Sequence, residues 1–79
     1  MSEIIDLHGK NKYQAKITLD SALRKARSGV YRIKVIHGYN LGIALRNYIR
    51  EEYQGHPKVL RIETSGNNGE TILVLRELY

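Results

Sequence analysis

Twice in this chain a short run of strand-forming residues ends in a histidine and a glycine and gives way to a helical pattern. Ile4-Ile5 leads into Asp6-Leu7-His8-Gly9, and Ile33 to Ile36 leads into His37-Gly38-Tyr39-Asn40. A repeated succession of strand, loop and helix predicts crossover units. Such crossovers are right-handed in nearly all cases and make the joined strands parallel. In open sheets of this kind ligand chemistry collects outside the carboxyl ends of the parallel strands. The two histidines and their glycines are therefore expected at one sheet edge.

Glu3 to Leu7 reads as the first strand, and Asn11 or a neighbour caps a helix from Tyr13 to Arg27. In that helix Ala15, Leu19, Ala22, Leu23 and Ala26 form one apolar stripe, and Ser28-Gly29 is expected to close it with a left-handed glycine. Val30 to Ile36 is the clearest strand, with Tyr31, Ile33 and Val35 on a core face and Arg32 and Lys34 on a basic one. A second helix carries Leu41, Leu45, Tyr48, Ile49 and the stem of Glu52 inward, with Arg46, Arg50 and Tyr53 opposite. It ends at Gln54-Gly55, and His56-Pro57 marks a turn. Val59 to Thr64 and Thr71 to Arg76 are two further strands, joined by the hairpin loop Ser65 to Glu70. The order βαβαββ predicts an α/β chain of the α+β two-layer kind, a four-stranded mixed sheet with both helices on one face. Arg32, Lys34 and Arg61 are left on the open face. The first three strands share a direction, so one edge gathers the loops at His8-Gly9, His37 to Gly42 and Gly66 to Gly69.

Residues 1–79 make one domain, short enough to bury only about 60% of the surface its unfolded chain exposes. Without cysteine there is neither a disulfide framework nor a thiolate metal site, and a cytoplasmic location is the expectation. No apolar run approaches the roughly 18 residues of a membrane span, and Met1-Ser2-Glu3-Ile4 does not begin a signal peptide. Thirteen Lys and Arg against eight Asp and Glu leave a charge of +5, which favours a polyanionic partner, nucleic acid first.

Phosphodiester cleavage needs a base for the nucleophile, an acid for the leaving oxygen and fixed positive charge for the transition state. His8 and His37 are the acid and base candidates, since imidazole titrates near working pH. Asp6, two residues before His8 on the same face of an extended chain, can orient that ring. Arg46, in the first turns of the second helix, can clamp a phosphate, with Arg50 one turn on. Around Gly9, Gly38, Gly42, Gly66 and Gly69 the backbone N–H groups can approach phosphate oxygens, and Tyr39 can stack on an unpaired base. Plainer readings stand beside these. A single strand-terminal histidine more often serves structure than catalysis, Asp6 can cap a loop, and Arg46 and Arg50 can form a solvated face. His8, His37 and Asp6 fit no compact ligand motif, so no metal site is assigned. A divalent ion such as magnesium enters only as an aid to hydrolysis by water.

Taken in order, Asp6-Leu7-His8-Gly9, Ala15, Ile36-His37-Gly38, Leu45-Arg46 and Gly66-Asn67-Asn68-Gly69-Glu70-Thr71 resemble the small MutS-related (Smr) domain family over nearly the whole chain. The resemblance implies a fold like that of the carboxyl-terminal domain of bacterial translation initiation factor three. It also implies nucleic-acid binding, with DNA nicking or RNA cleavage in several members. Family roles fall on Asp6, His8, His37 and Gly38, supported by Arg46 and by Gly66, Asn67, Asn68, Gly69 and Thr71. The chain departs from the family where His-Gly-x-Gly becomes His37-Gly38-Tyr39-Asn40, although asparagine tolerates positive φ better than most residues. The path on to Leu45-Arg46 is one residue longer, and Gly66-Asn67 replaces Gly-Gly. These departures bear more on cleavage, which responds to displacements near 1 Å, than on binding.

The leading expectation is a nucleic-acid-binding domain with endonuclease chemistry on RNA or DNA. The second is a binding module without catalysis. The third is an adaptor that docks on a protein or ribonucleoprotein such as the ribosome, or on a nucleic-acid-processing protein, through an outward pair on the first helix, Tyr13 and Ile17.

Overall fold

The computed structural model describes residues 2–38, 42–66 and 69–76. Six elements follow in the expected order: β1 (Ser2–Asp6), α1 (Lys12–Lys25), β2 (Arg32–Ile36), α2 (Gly42–Tyr53), β3 (Arg61–Glu63) and β4 (Glu70–Val74). The sheet order is β1-β2-β4-β3, with β1 parallel to β2 and β4 antiparallel to both its neighbours. Thus β1, β2 and β3 share a direction, as expected, although β4 separates β3 from β2. The carboxyl ends of β1 and β2 stand level with the start of β4, where Asp6 pairs with Ile36 and Ile36 with Glu70.

Alternation along the strands decides what lies inside. Leu7, Ile33, Val35 and Leu73 point to one face and form a single buried core with Ala15, Leu19 and Leu23 of α1 and Leu45, Ile49 and Tyr53 of α2. Both helices therefore cover the same side of the sheet. On the other side the expected basic face is balanced by acids. Arg32 and Arg61 both bind Glu63, at 2.7 and 2.8 Å, and Lys34 lies 3.9 Å from Glu70. Val74, opposite Arg32 and Arg61 in the register, is fully buried there.

Local chemistry sets the ends of the helices. Asn11 accepts the Gln14 N–H at 2.8 Å while the Gln14 side chain accepts the Asn11 N–H at 3.1 Å, a reciprocal cap that starts α1. At its other end no left-handed glycine is used. α1 stops at Lys25, its cap Ala26 is extended, and Lys58 Nζ donates to the Leu23 carbonyl at 3.2 Å. Two residues past the end of α2, Gly55 does take a positive φ of 84°.

Tyr53, expected opposite the core stripe of α2, is instead wholly buried, whereas Tyr48 is half-buried and Glu52 exposed; Leu41 lies outside the described residues. A partner that local periodicity does not show makes this burial possible. Tyr53 Oη donates to Asp20 of α1 at 2.6 Å, and Lys16 joins Asp20 and Glu52 at 3.2 and 3.1 Å. Burial and the nearby Asp20 carboxylate push the Tyr53 phenol far up. Replacing Tyr53 with Phe keeps the packing and removes the bond between the helices. The expected cost is about 1–2 kcal/mol in urea denaturation, with an unchanged m-value.

Candidate nucleic-acid interface

At the end of β1, Asp6 and His8 leave the chain on the same side and meet in solvent. Asp6 Oδ1 lies 2.6 Å from His8 Nδ1 and also accepts the His8 backbone N–H at 3.1 Å. Their side chains are 53 and 72% exposed. A carboxylate can only accept, so Nδ1 carries a proton, and in the neutral ring this leaves the unshared pair on Nε2. The side-chain and backbone hydrogen bonds from His8 hold the Asp6 carboxyl below the usual carboxylate range.

His37 does the opposite. It continues the inward alternation of Ile33 and Val35, and only 2% of its surface is exposed. Its Nδ1 meets the Gly38 carbonyl at 3.2 Å, and its Nε2 meets Thr71 Oγ1 at 2.9 Å. Arg50 Nε donates to the same Oγ1 at 3.2 Å. The chain of bonds has one consistent direction. The Gly38 carbonyl needs a proton on Nδ1, so Nε2 accepts from the Thr71 hydroxyl, whose oxygen accepts from Arg50. Burial, then the positive charges of Arg50 and Arg46, lower the His37 pKa, so the ring stays neutral. The two acid and base candidates therefore sit in opposite surroundings. One histidine faces solvent and the other is a buried brace.

The two loops nevertheless touch. Gly38 has a φ of +88°, and a Cβ built there would lie 3.5 Å from the Cβ of His8. The position demands glycine for its backbone angle rather than for space. The Gly38 and His37 amides both donate to the Gly69 carbonyl, at 3.0 and 2.9 Å, so these N–H groups hold the loop to β4 and are not turned to a ligand. Thr71 is fully buried and Gly69 is buried, which withdraws both from direct nucleic-acid contact. Gly9 and Gly66 are exposed at the expected edge, and Gly42 opens α2. Tyr39, Asn40, Asn67 and Asn68 lie outside the described residues.

Arg46 and Arg50 complete the edge. They lie one turn apart on α2, and their charges both reach His37. Burial and the neighbouring Arg46 lower the pKa of Arg50. Arg46 bonds Asn47 at 3.4 Å and Arg50 bonds Thr71, and neither meets a carboxylate among the described residues. Two adjacent guanidinium groups without an acid attract an anion. Arg32 and Lys34 are occupied by Glu63 and Glu70 on the open face, away from this couple. Tyr13 and Ile17 on α1 are exposed, as expected of an outward pair. The parts that sequence reasoning missed are the inward direction of His37 and the use of Thr71 as its partner. The signal was present in both cases, since His37 keeps the parity of Val35 and Thr71 that of Leu73.

The comparisons with known proteins agree with this fold. A family model described as the Smr domain matches residues 5–76. The chain is also similar to the crystal structure of the Smr domain of Thermus thermophilus MutS2. That match has a TM-score of 0.83 and 31% identity, and it covers 95% of this chain and 99% of that one. Comparison with curated proteins returned no match. With the family model spanning nearly all of its elements, the chain belongs to the Smr domain family.

Proposed function

We propose that this domain binds nucleic acid along the edge formed by His8, Gly9, Gly38 and the amino-terminal half of α2, and that it cleaves the phosphodiester held there. The observation that carries the reading is the exposed, carboxylate-oriented His8 at the same edge as two guanidinium groups that have no acid partner among the described residues. Arg46 and Arg50 take the phosphate oxygens. His8 Nε2 removes the proton from the attacking oxygen as it bonds to phosphorus. The P–O bond to the leaving oxygen breaks, and that oxygen takes a proton from the imidazolium or from water. Asp6 holds the ring in the tautomer this requires. The burial of His37 favours a second reading, a binding module without cleavage, because it leaves one exposed histidine where acid–base exchange commonly uses two groups.

The decisive experiment incubates structured RNA, single-stranded RNA and supercoiled DNA with the wild-type chain and with His8→Ala, with and without a chelator. The expected result is cleavage reduced by about 10²–10⁴ in His8→Ala with affinity retained. Absence of cleavage by the wild type on every substrate would leave the binding module. Arg46→Ala should weaken binding and make the log–log salt slope shallower by about 1, read by fluorescence anisotropy across a salt series.

His37 has a different role, which pH separates. Its folded pKa lies below the unfolded value of about 6.5, so the unfolded chain takes up the proton first on acidification. The stability from the neutral brace is complete above that pH and is lost as pH falls below it, at up to about 1.4 kcal/mol per pH unit. Denaturation at a series of pH values should show this slope in the wild type above the carboxylate range. The slope should be reduced in His37→Gln, and equal slopes in the two proteins would count against the brace.

A further inference from the structure

Past the phosphate edge, a cleft of about 420 Å³ opens between the end of α2 and β3. Leu60 and Ile62 supply apolar wall, Gln54 and Thr64 hydrogen-bonding groups, and Arg50 a cation. Leu60 is 54% exposed there, beside the edge strand of the sheet. Arg50 belongs to both places. Its Nε is tied to Thr71 Oγ1, which fixes the guanidinium where the edge becomes the cleft, and its terminal nitrogens have no partner among the described residues. The site thus offers a phosphate ligand, an apolar wall and groups able to bond a base edge. Its volume is toward the lower end of the roughly 300–1,000 Å³ of small-ligand sites. A nucleotide ring fits that space. A base inside a duplex reaches such a cleft only by leaving its stack, whereas an unpaired base is already available.

We propose that the cleft between α2 and β3 receives the base of an unpaired nucleotide adjacent to the phosphate held by Arg46 and Arg50, so that the domain selects single-stranded over duplex nucleic acid. The proposal rests on the nucleic-acid reading of the edge and adds its substrate class. Gln54 and Leu60 are the specificity-determining residues, and both are exposed enough to change without disturbing the core.

The test measures fluorescence anisotropy of a short single-stranded oligonucleotide, and of the blunt duplex formed with its complement, against wild type, Leu60→Asn, Gln54→Ala and Arg46→Ala. Circular dichroism confirms that each variant is folded. The wild type should bind the single strand more tightly at equal salt. Leu60→Asn should lower single-strand affinity about fivefold with little change for duplex, Gln54→Ala should act in the same direction, and Arg46→Ala should weaken both ligands alike. If the two cleft variants bind both ligands like wild type, or lose both equally, while Arg46→Ala still weakens binding, the cleft proposal fails and the phosphate edge stands. If the wild type binds neither ligand, both fall.

Discussion

At the carboxyl end of β2 the chain turns out of the sheet, and the ring of His37, bonded to Thr71 Oγ1 at 2.9 Å, holds that turn against β4. Three other parts of the edge depend on this contact. The Gly69 carbonyl takes the His37 and Gly38 amides, Gly38 comes into contact range of His8, and Arg50 is tethered through the same hydroxyl. Buried polar groups are costly unless each finds a partner, and among the described residues no buried side-chain polar atom lacks one. A satisfied chain of this kind admits one arrangement of donors and acceptors. It therefore fixes the geometry of the exposed groups around it.

The chain carries a net charge of +5, and several of its cations are matched by acids across elements. On the open face of the sheet Glu63 and Glu70 neutralise Arg32, Arg61 and Lys34, and between the helices Asp20 and Glu52 neutralise Lys16. The couple on α2 has no such acid among the described residues, and its mutual repulsion is relieved by an anion. Surface pairs contribute little stability each. What they do here is tie up the four cations of the open sheet face and of the contact between the helices, whereas the couple beside His37 and Thr71 is left without a carboxylate among the described residues.

Much of the fold was legible because the relevant rules are local. Period-two alternation placed Ile33 and Val35 inside and Asp6 beside His8. The apolar stripe of α1 and the Asn11 cap were readable from spacing alone. Tyr53 was not, because its burial depends on Asp20, which is distant in the chain and adjacent in space. Nor was the neutralised open face, since nothing within β2 indicates that Glu63 and Glu70 stand across from Arg32 and Lys34. His37 marks the boundary between the two cases. Its inward parity was readable, but a histidine at a strand end also suits catalysis, and only a buried partner shows that this ring is a brace.

The sequence by itself determined the order of elements, the shared direction of the first three strands and the edge at which the His-Gly loops gather. Crossover handedness and alternation are properties of short stretches of chain, which is why these features needed no distant information. The tertiary structure alone decided that β4 inserts between β2 and β3 and carries Thr71 to His37. Long-range strand pairing determines which side chains meet, and hence which of two histidines is sealed in the core and which is offered to solvent with a carboxylate behind it. It also joined the end of α2 to β3, making from Arg50, Gln54 and Leu60 a cleft whose parts lie on separate elements.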